Sequence, residues 1–145
     1  MKLEHIIANK GGFVATVEPG STVDALVSAL AEHRVGALVV STDGSTIDGI
    51  VSERDVVRAL KAHGPGALSL PVHEIMTVQV QCAPPTASTE DLMVVMTEQR
   101  VRHVPVVDDE GKLIGIVSIG DVVKSRMGEL EGEREALVQY ISGGR

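Results

Sequence analysis

The sequence predicts an α+β fold of two like halves in a pseudo-twofold arrangement, followed by a C-terminal amphipathic helix. Three observations predict it. The phrase GIVSERDVV at 49–57 returns as GIVSIGDVV at 115–123, identical at seven of nine positions and displaced by 66 residues. Self-similarity at a fixed period marks a repeated supersecondary unit, and two copies point to a pair, not an array. Within each copy, short β-branched runs alternate with stripes of helical period. The core must also be aliphatic: 43% of the chain is hydrophobic, yet Phe13 and Tyr140 are its only aromatics. Val, Ile, Leu, Ala and Met pack well between helices and strands.

Taken in order, each copy has the same grammar. Short helices are expected at LEHII (3–7) and VHEIM (72–76). Strands follow at FVATV (13–17) and VQVQC (78–82), then a Pro and a Ser/Thr cap. Val23, Leu26, Val27 and Leu30, and Leu92, Val95 and Met96, recur at spacings of three and four and mark one face of a helix. Two β-branched runs come next, ALVV to IDGIV and HVPVV to LIGIV. The turns STDGST and DDEGK separate them. A last helix begins near Ser52 or Ser118. The order is strand–helix–strand–strand–helix, twice. The divisions are 1–62 for the first repeat, 63–71 for a Gly/Pro-rich linker, 72–127 for the second repeat and 128–145 for a C-terminal helix and tail. In that last segment Leu137, Tyr140 and Ile141 share a face, which a second protomer would cover.

Composition excludes several classes of function. Thirteen Lys and Arg against twenty Asp and Glu leave a net charge of −7. An acidic chain almost without aromatic rings suits neither nucleic acid nor an anionic membrane. A phosphate-bearing ligand would need local cations and backbone N–H groups. Cys82 is the only cysteine, which excludes an internal disulfide and a Cys-based metal cluster, and is expected as an apolar filler at a strand end. His5, His33, His63 and His73 lack metal-ligand spacing. Ser52 and Ser118 have an Asp nearby but no His partner common to both copies, which argues against nucleophilic catalysis. Without a signal peptide or an apolar run of about 18 residues, the expectation is a soluble cytoplasmic protein.

The repeated Ser-x-x-Asp has two readings. At a helix start it resembles a capping box, with Ser52 and Ser118 as N-caps and Asp55 and Asp121 reaching back. The same atoms can also hold a ligand. A carboxylate has acceptors for two vicinal ribose hydroxyls, and a helix N-terminus favours phosphate.

The segments HRVGALVV with GIVSERD, and QRVRHVPVVDDEGKLIGIVSIGD, resemble the cystathionine-β-synthase (CBS) domain pair, or Bateman module, over residues 1–127. The tail EREALVQYISG resembles that of small bacterial two-CBS proteins. The resemblance implies a regulatory, energy-sensing module without catalysis, with two clefts between the repeats. The ligand it implies is AMP or NAD(H), ahead of ATP, ADP or S-adenosylmethionine. Carried onto this chain, one cleft would use Ser52, Arg54 and Asp55, with Val80 and Val101 near the base. The other would use Ser118 and Asp121, with Val35, Gly36 and the strand Phe13, Val14 and Ala15 around the adenine. Arg102, His103 and Lys10 would face its phosphate. Each cleft would thus draw a cation from a different element. The resemblance further implies a homodimer and an effector protein that the sequence does not name. The competing expectation is a scaffolding dimer with empty clefts.

Overall fold

A computed structural model describes residues 1–11 and 14–143; Phe13, expected beside an adenine, lies outside the described residues. The helices are α1 (Leu3–Asn9), α2 (Val23–His33), α3 (Glu53–His63), α4 (Thr89–Gln99) and α5 (Ile119–Gly143). The strands are β1 (Thr16–Val17), β2 (Ala37–Val40), β3 (Gly49–Ser52), β4 (His103–Val107) and β5 (Leu113–Ser118). In the first repeat β1 runs parallel to β2, and β2 pairs antiparallel with β3. In the second, β4 pairs antiparallel with β5. The register repeats at the sequence period: Leu38 faces Val51 as Val104 faces Val117. Each repeat buries its own apolar cluster, one around Leu26, Leu38 and Val51, the other around Leu92, Val104 and Val117.

Several expectations are corrected. VQVQC forms no strand; Ala83 alone bridges Val106, in parallel. The Ala83 N–H donates to the Pro105 carbonyl, but Pro105 has no N–H to return to the Gln81 carbonyl, so the pairing does not extend back along 78–82. Cys82 is accordingly exposed and is not a core filler. The expected C-terminal helix is present, as the second half of α5, which runs unbroken for 25 residues. Residues 131–143 of it are all exposed. The helical stripes are also narrower than their spacing suggests, because Val27 is exposed while Leu26 and Leu30 are buried.

The two halves are joined by exchange. Leu3 and Ile6 of α1, at the head of the first repeat, lie in the core of the second. Val72, from the 3-10 helix Val72–Glu74 at the head of the second repeat, lies in the core of the first. The linker is folded too: Gly64–Ser69 is a 3-10 helix whose Ala67 is fully buried. The bridges Thr22–Pro71 and Ser88–Lys2 show that the leading segments repeat at 69 residues, whereas the caps repeat at 66. The first connection is therefore longer by three residues (69 − 66).

The repeated Gly of GIVS admits these leaders. A Cβ on Gly49 would lie 2.7 Å from Met76 Sδ and 2.8 Å from the Thr77 carbonyl oxygen. One on Gly115 would lie 2.8 Å from Ile7 Cγ1. Thr77 also exchanges two backbone hydrogen bonds with Ile50, at 2.8 and 2.9 Å, so its carbonyl has little room to retreat. The Ile7 side chain can rotate. Gly49→Ala is expected to destabilise the protein by about 1–3 kcal/mol, the usual range for overpacking, and Gly115→Ala by less. Urea unfolding of the two variants measures this, and equal losses would contradict the account.

Candidate functional site

Both sheet-to-helix corners are built alike. The Gly36 carbonyl accepts from the Glu53 N–H at 2.9 Å, and the Arg102 carbonyl accepts from the Ile119 N–H at 2.8 Å. Each bond pins a helix N-terminus to the residue just ahead of a strand, β2 in one repeat and β4 in the other. The capping reading of the repeated phrase is fully realised. The Ser52 N–H donates to Asp55 Oδ2 at 2.8 Å, and the Asp55 N–H donates to Ser52 Oγ at 3.4 Å. Ser118 and Asp121 make the same pair of bonds at 2.9 and 3.2 Å. A third such box, Ser88 with Asp91, starts α4. Capping does not exhaust a carboxylate, which has about four lone-pair sites. Among the described residues, the one ion-pair partner of Asp55 Oδ1 is the Arg58 guanidinium, at 3.8 Å.

A cavity of about 220 Å³ opens beside the α3 corner, between the two repeats. It brings together Ser52, Arg54, Asp55, Val80 and Val101, the whole set expected for the first cleft. Ala37 and Ile50 add apolar wall, and Thr77, Gln79 and Gln81 add polar groups. Gly36, Arg102 and His103, expected at the second cleft, line this same cavity. So do Arg58 and Arg100, which sequence reasoning missed. Arg58 sits one helical turn after Arg54, which was a usable signal. Arg100 is the left-handed C-cap of α4, with φ 53°. Sequence alone does not say which way the side chain of such a cap points.

The second cleft is different. Lys10 Nζ donates to Asp121 Oδ2 at 2.8 Å and to the Ile116 carbonyl at 2.9 Å. The carbonyl of Ile50, its counterpart, is taken instead by the Thr77 backbone N–H. α1 continues past the point where the other leader turns into the sheet, and the lysine fills the place of that amide. Burial raises the Asp121 pKa, but the Lys10 hydrogen bond and the Ser118 amide outweigh it and hold the carboxyl below its usual range. Val14 and Ala15 are half-buried, and Val35 is exposed.

The CBS domain model matches residues 13–62 and 72–128. The chain belongs to the CBS-domain family. It is 41% identical over 127 residues to the CBS domain-containing protein CBSX3, mitochondrial, of Arabidopsis thaliana, covering 85% of this chain and 61% of that one. The crystal structure of a CBS-domain containing protein from Agrobacterium tumefaciens superposes with a TM-score of 0.80 at 40% identity, covering 86% of this chain and 98% of that one. CBSX2, solved in complex with AMP, superposes with a TM-score of 0.68 at 30% identity, covering 79% and 88%. Among the described residues no helix is long and apolar enough to cross a membrane. Nor does any group of three His, Cys, Asp or Glu side chains there come together as a metal site.

His103 lies where the two repeats meet. It pairs with Ser118 across β4 and β5, and a Cβ on Gly36 would touch both its ring, at 3.5 Å, and Glu53 Oε1, at 3.4 Å. Burial pushes its pKa down; Glu53 and Asp121 oppose this, while Lys10 and Arg102 add to it. The net result is a depressed value, so the unfolded chain takes up this proton more readily than the folded one. Stability is then expected to rise with pH up to about 6.5, the ordinary imidazole value, and to fall below it. Melting temperatures at stepped pH should show this loss on acidification in the wild type and a smaller one in His103→Gln.

Proposed function

We propose that this protein is a non-catalytic regulatory module that binds an adenine nucleotide in the cavity between its repeats. The observation that carries the reading is the cavity itself: Ser52, Asp55 and the α3 N-terminus come from one repeat, and Val80 and Val101 from the other. Adenine lies against the two valines. Asp55 Oδ1 accepts from a ribose hydroxyl while Oδ2 keeps the cap. The phosphate end faces the helix N-terminus and the guanidiniums at the mouth. A relative crystallised with AMP supports the ligand class. AMP and NAD(H) are the first ligands to try, then ADP, ATP and S-adenosylmethionine. The ligand bridges the halves and so favours whichever relative arrangement it contacts better. Output then passes through a second copy of the chain and an effector protein.

In this reading the Ser118–Asp121 corner stays empty, because Lys10 already neutralises Asp121 through Oδ2, the oxygen that also takes the Ser118 amide. Titration calorimetry with AMP should give a single site per chain. Asp55→Ala should weaken it by at least about tenfold, the worth of one hydrogen bond to a charged group, and Asp121→Ala should leave it unchanged. An equal loss from both variants would mean that ligand sits at both corners. A scaffold with empty clefts is the second reading, favoured by the two complete capping boxes. It predicts no rise in melting temperature with millimolar AMP, NADH, ATP or S-adenosylmethionine.

Apolar side chains left exposed on the helices, among them Val57, Met93, Val94 and Val123, suit a homodimer. Light scattering on the purified protein should report a two-chain particle, and Val57→Glu with Val123→Glu should reduce it to a single chain.

A further inference from the structure

α5 outruns the core that holds it. Val122 is its one fully buried residue, and 131–143 are exposed throughout. Those thirteen residues make a rod of about 20 Å at the helical rise per residue. Their own sequence does little to keep them helical. Gly128 and Gly132 each cost about 1 kcal/mol against Ala. A Cβ on either would stand in open space, so neither glycine serves close packing within the chain. Glu129 with Glu133, and Glu131 with Glu135, set like charges four residues apart, which weakens a helix further. A free helix of this length is marginal in water, so this one needs a surface to pack on. The repeated unit does not require it: α3 stops at His63, the counterpart of Glu129. The CBS domain model also ends at residue 128.

The apolar spacing shows what kind of surface fits. Val123, Met127, Leu130, Leu137 and Ile141 are between 49% and 60% exposed. With Arg134 they follow one another at intervals of 4, 3, 4, 3 and 4 residues. That is the seam of a coiled coil, with Met127, Arg134 and Ile141 at a positions and Val123, Leu130 and Leu137 at d. A helix lying on a globular body presents a broader stripe. The fitting surface is another helix.

Charge selects which helix, and its direction. Arg134 is the one cation of residues 127–143, among Glu129, Glu131, Glu133 and Glu135. It makes no ion pair among the described residues. It lies mid-seam, where a lone polar residue fixes register and the number of strands. Beside a second α5, parallel and level, Arg134 adjoins the partner's Glu133 at the flanking g position, and symmetry makes that pair twice. An antiparallel α5 covering the same stripe sets Glu131 against the partner's Glu131 and Glu133 against the partner's Glu133. Those like charges oppose it. The seam is thus complementary to itself in one orientation.

We propose that α5 pairs with α5 of a second copy of this chain as a parallel, in-register coiled coil, with Arg134 reaching the partner's Glu133. Fewer than three heptads cannot hold two free chains together. The seam closes once the bodies have met, at the raised local concentration that tethering supplies. The inference therefore rests on the homodimer reading above and is independent of the nucleotide.

The test is disulfide crosslinking of Cys82→Ser/Leu137→Cys and Cys82→Ser/Gln139→Cys, oxidised with glutathione disulfide and read on non-reducing gels. Both positions are exposed in the single chain, and an unchanged melting temperature under reducing conditions checks that the variants fold. Across a parallel seam position 137 meets its own copy at a Cα separation of about 6 Å, within reach of a disulfide. Position 139 points away from the seam. In the antiparallel arrangement the two 137 positions stand about 15 Å apart along the axis. The first variant should form covalent dimer at least about tenfold faster than the second. Adding Arg134→Glu should slow it by about threefold or more, the effect of two exposed ion pairs turned to repulsion. Equal rates at 137 and 139, or a rate that Arg134→Glu leaves unchanged, overturns the inference, and a two-chain particle by light scattering then leaves the homodimer reading standing. A single-chain particle overturns both.

Discussion

The exchange of leading segments is the constraint on which the rest of the structure depends. Neither repeat closes its own core: Val72 completes the first and Leu3 and Ile6 complete the second. Each leader crosses its host sheet at a glycine, because a side chain there would collide with Met76 and Thr77 or with Ile7. This explains why Gly opens both copies of the repeated phrase. It also explains why there is a cavity between the halves. Thr77 pairs with Ile50 at the edge of the first sheet, and the chain then runs on through Gln79 and Val80, which line the opening. The wall that faces Ser52 and Asp55 is thus a direct consequence of how the second leader is anchored.

The same frame is used twice with different contents. The corners at α3 and α5 share caps, strand register and carbonyl-to-amide bonds. They differ in what surrounds the aspartate: arginines at one, and Lys10 at 2.8 Å at the other. The difference traces to backbone. The second leader is a single 3-10 turn that joins the sheet through Thr77, and this leaves the opening clear. The first leader continues as α1 to Asn9, and the following lysine reaches the carbonyl that the sheet left unpaired. One short change in how a segment ends therefore decides whether an internal cation sits on the corner's carboxylate.

Most of the fold was legible because its signals are local or duplicated. The 66-residue period located β2 to β5 and the starts of α3 and α5 to within a residue or two. The exchange was not legible, since LEHII and VHEIM carry no mark of which core they enter. The failed strand at 78–82 shows the limit of alternation read without its partner: Pro105 of β4 has no N–H to extend the pairing back from Ala83. The site residues were partly legible. Val80 and Val101 line one cavity with Ser52 and Asp55; Arg102 and His103 line it too, while His103 also pairs with Ser118 across β4 and β5. Their side chains follow Val101 in the extended entry to β4. The repeat says which residues correspond, not which cleft a side chain on the pseudo-twofold axis enters.

Ser-x-x-Asp is a case where capping and binding are not rivals. The chain contains it five times, and at 52–55, 88–91 and 118–121 it forms capping boxes. A motif that caps three helices cannot by itself report a ligand. What separates the three is their surroundings. Asp91 is exposed at the start of α4 and lines none of the cavity. Asp121 is engaged by Lys10. Asp55 has a largely buried side chain in the lining of the arginine-lined cavity, with Oδ2 held by its own helix and Oδ1 3.8 Å from the Arg58 guanidinium. A carboxylate fixed in that way has little rotamer freedom left to lose, so a ribose hydroxyl reaching its free oxygen meets an acceptor whose ordering the cap has already accomplished. The cap that looked like the bland alternative is then the element that makes the aspartate a well-placed acceptor.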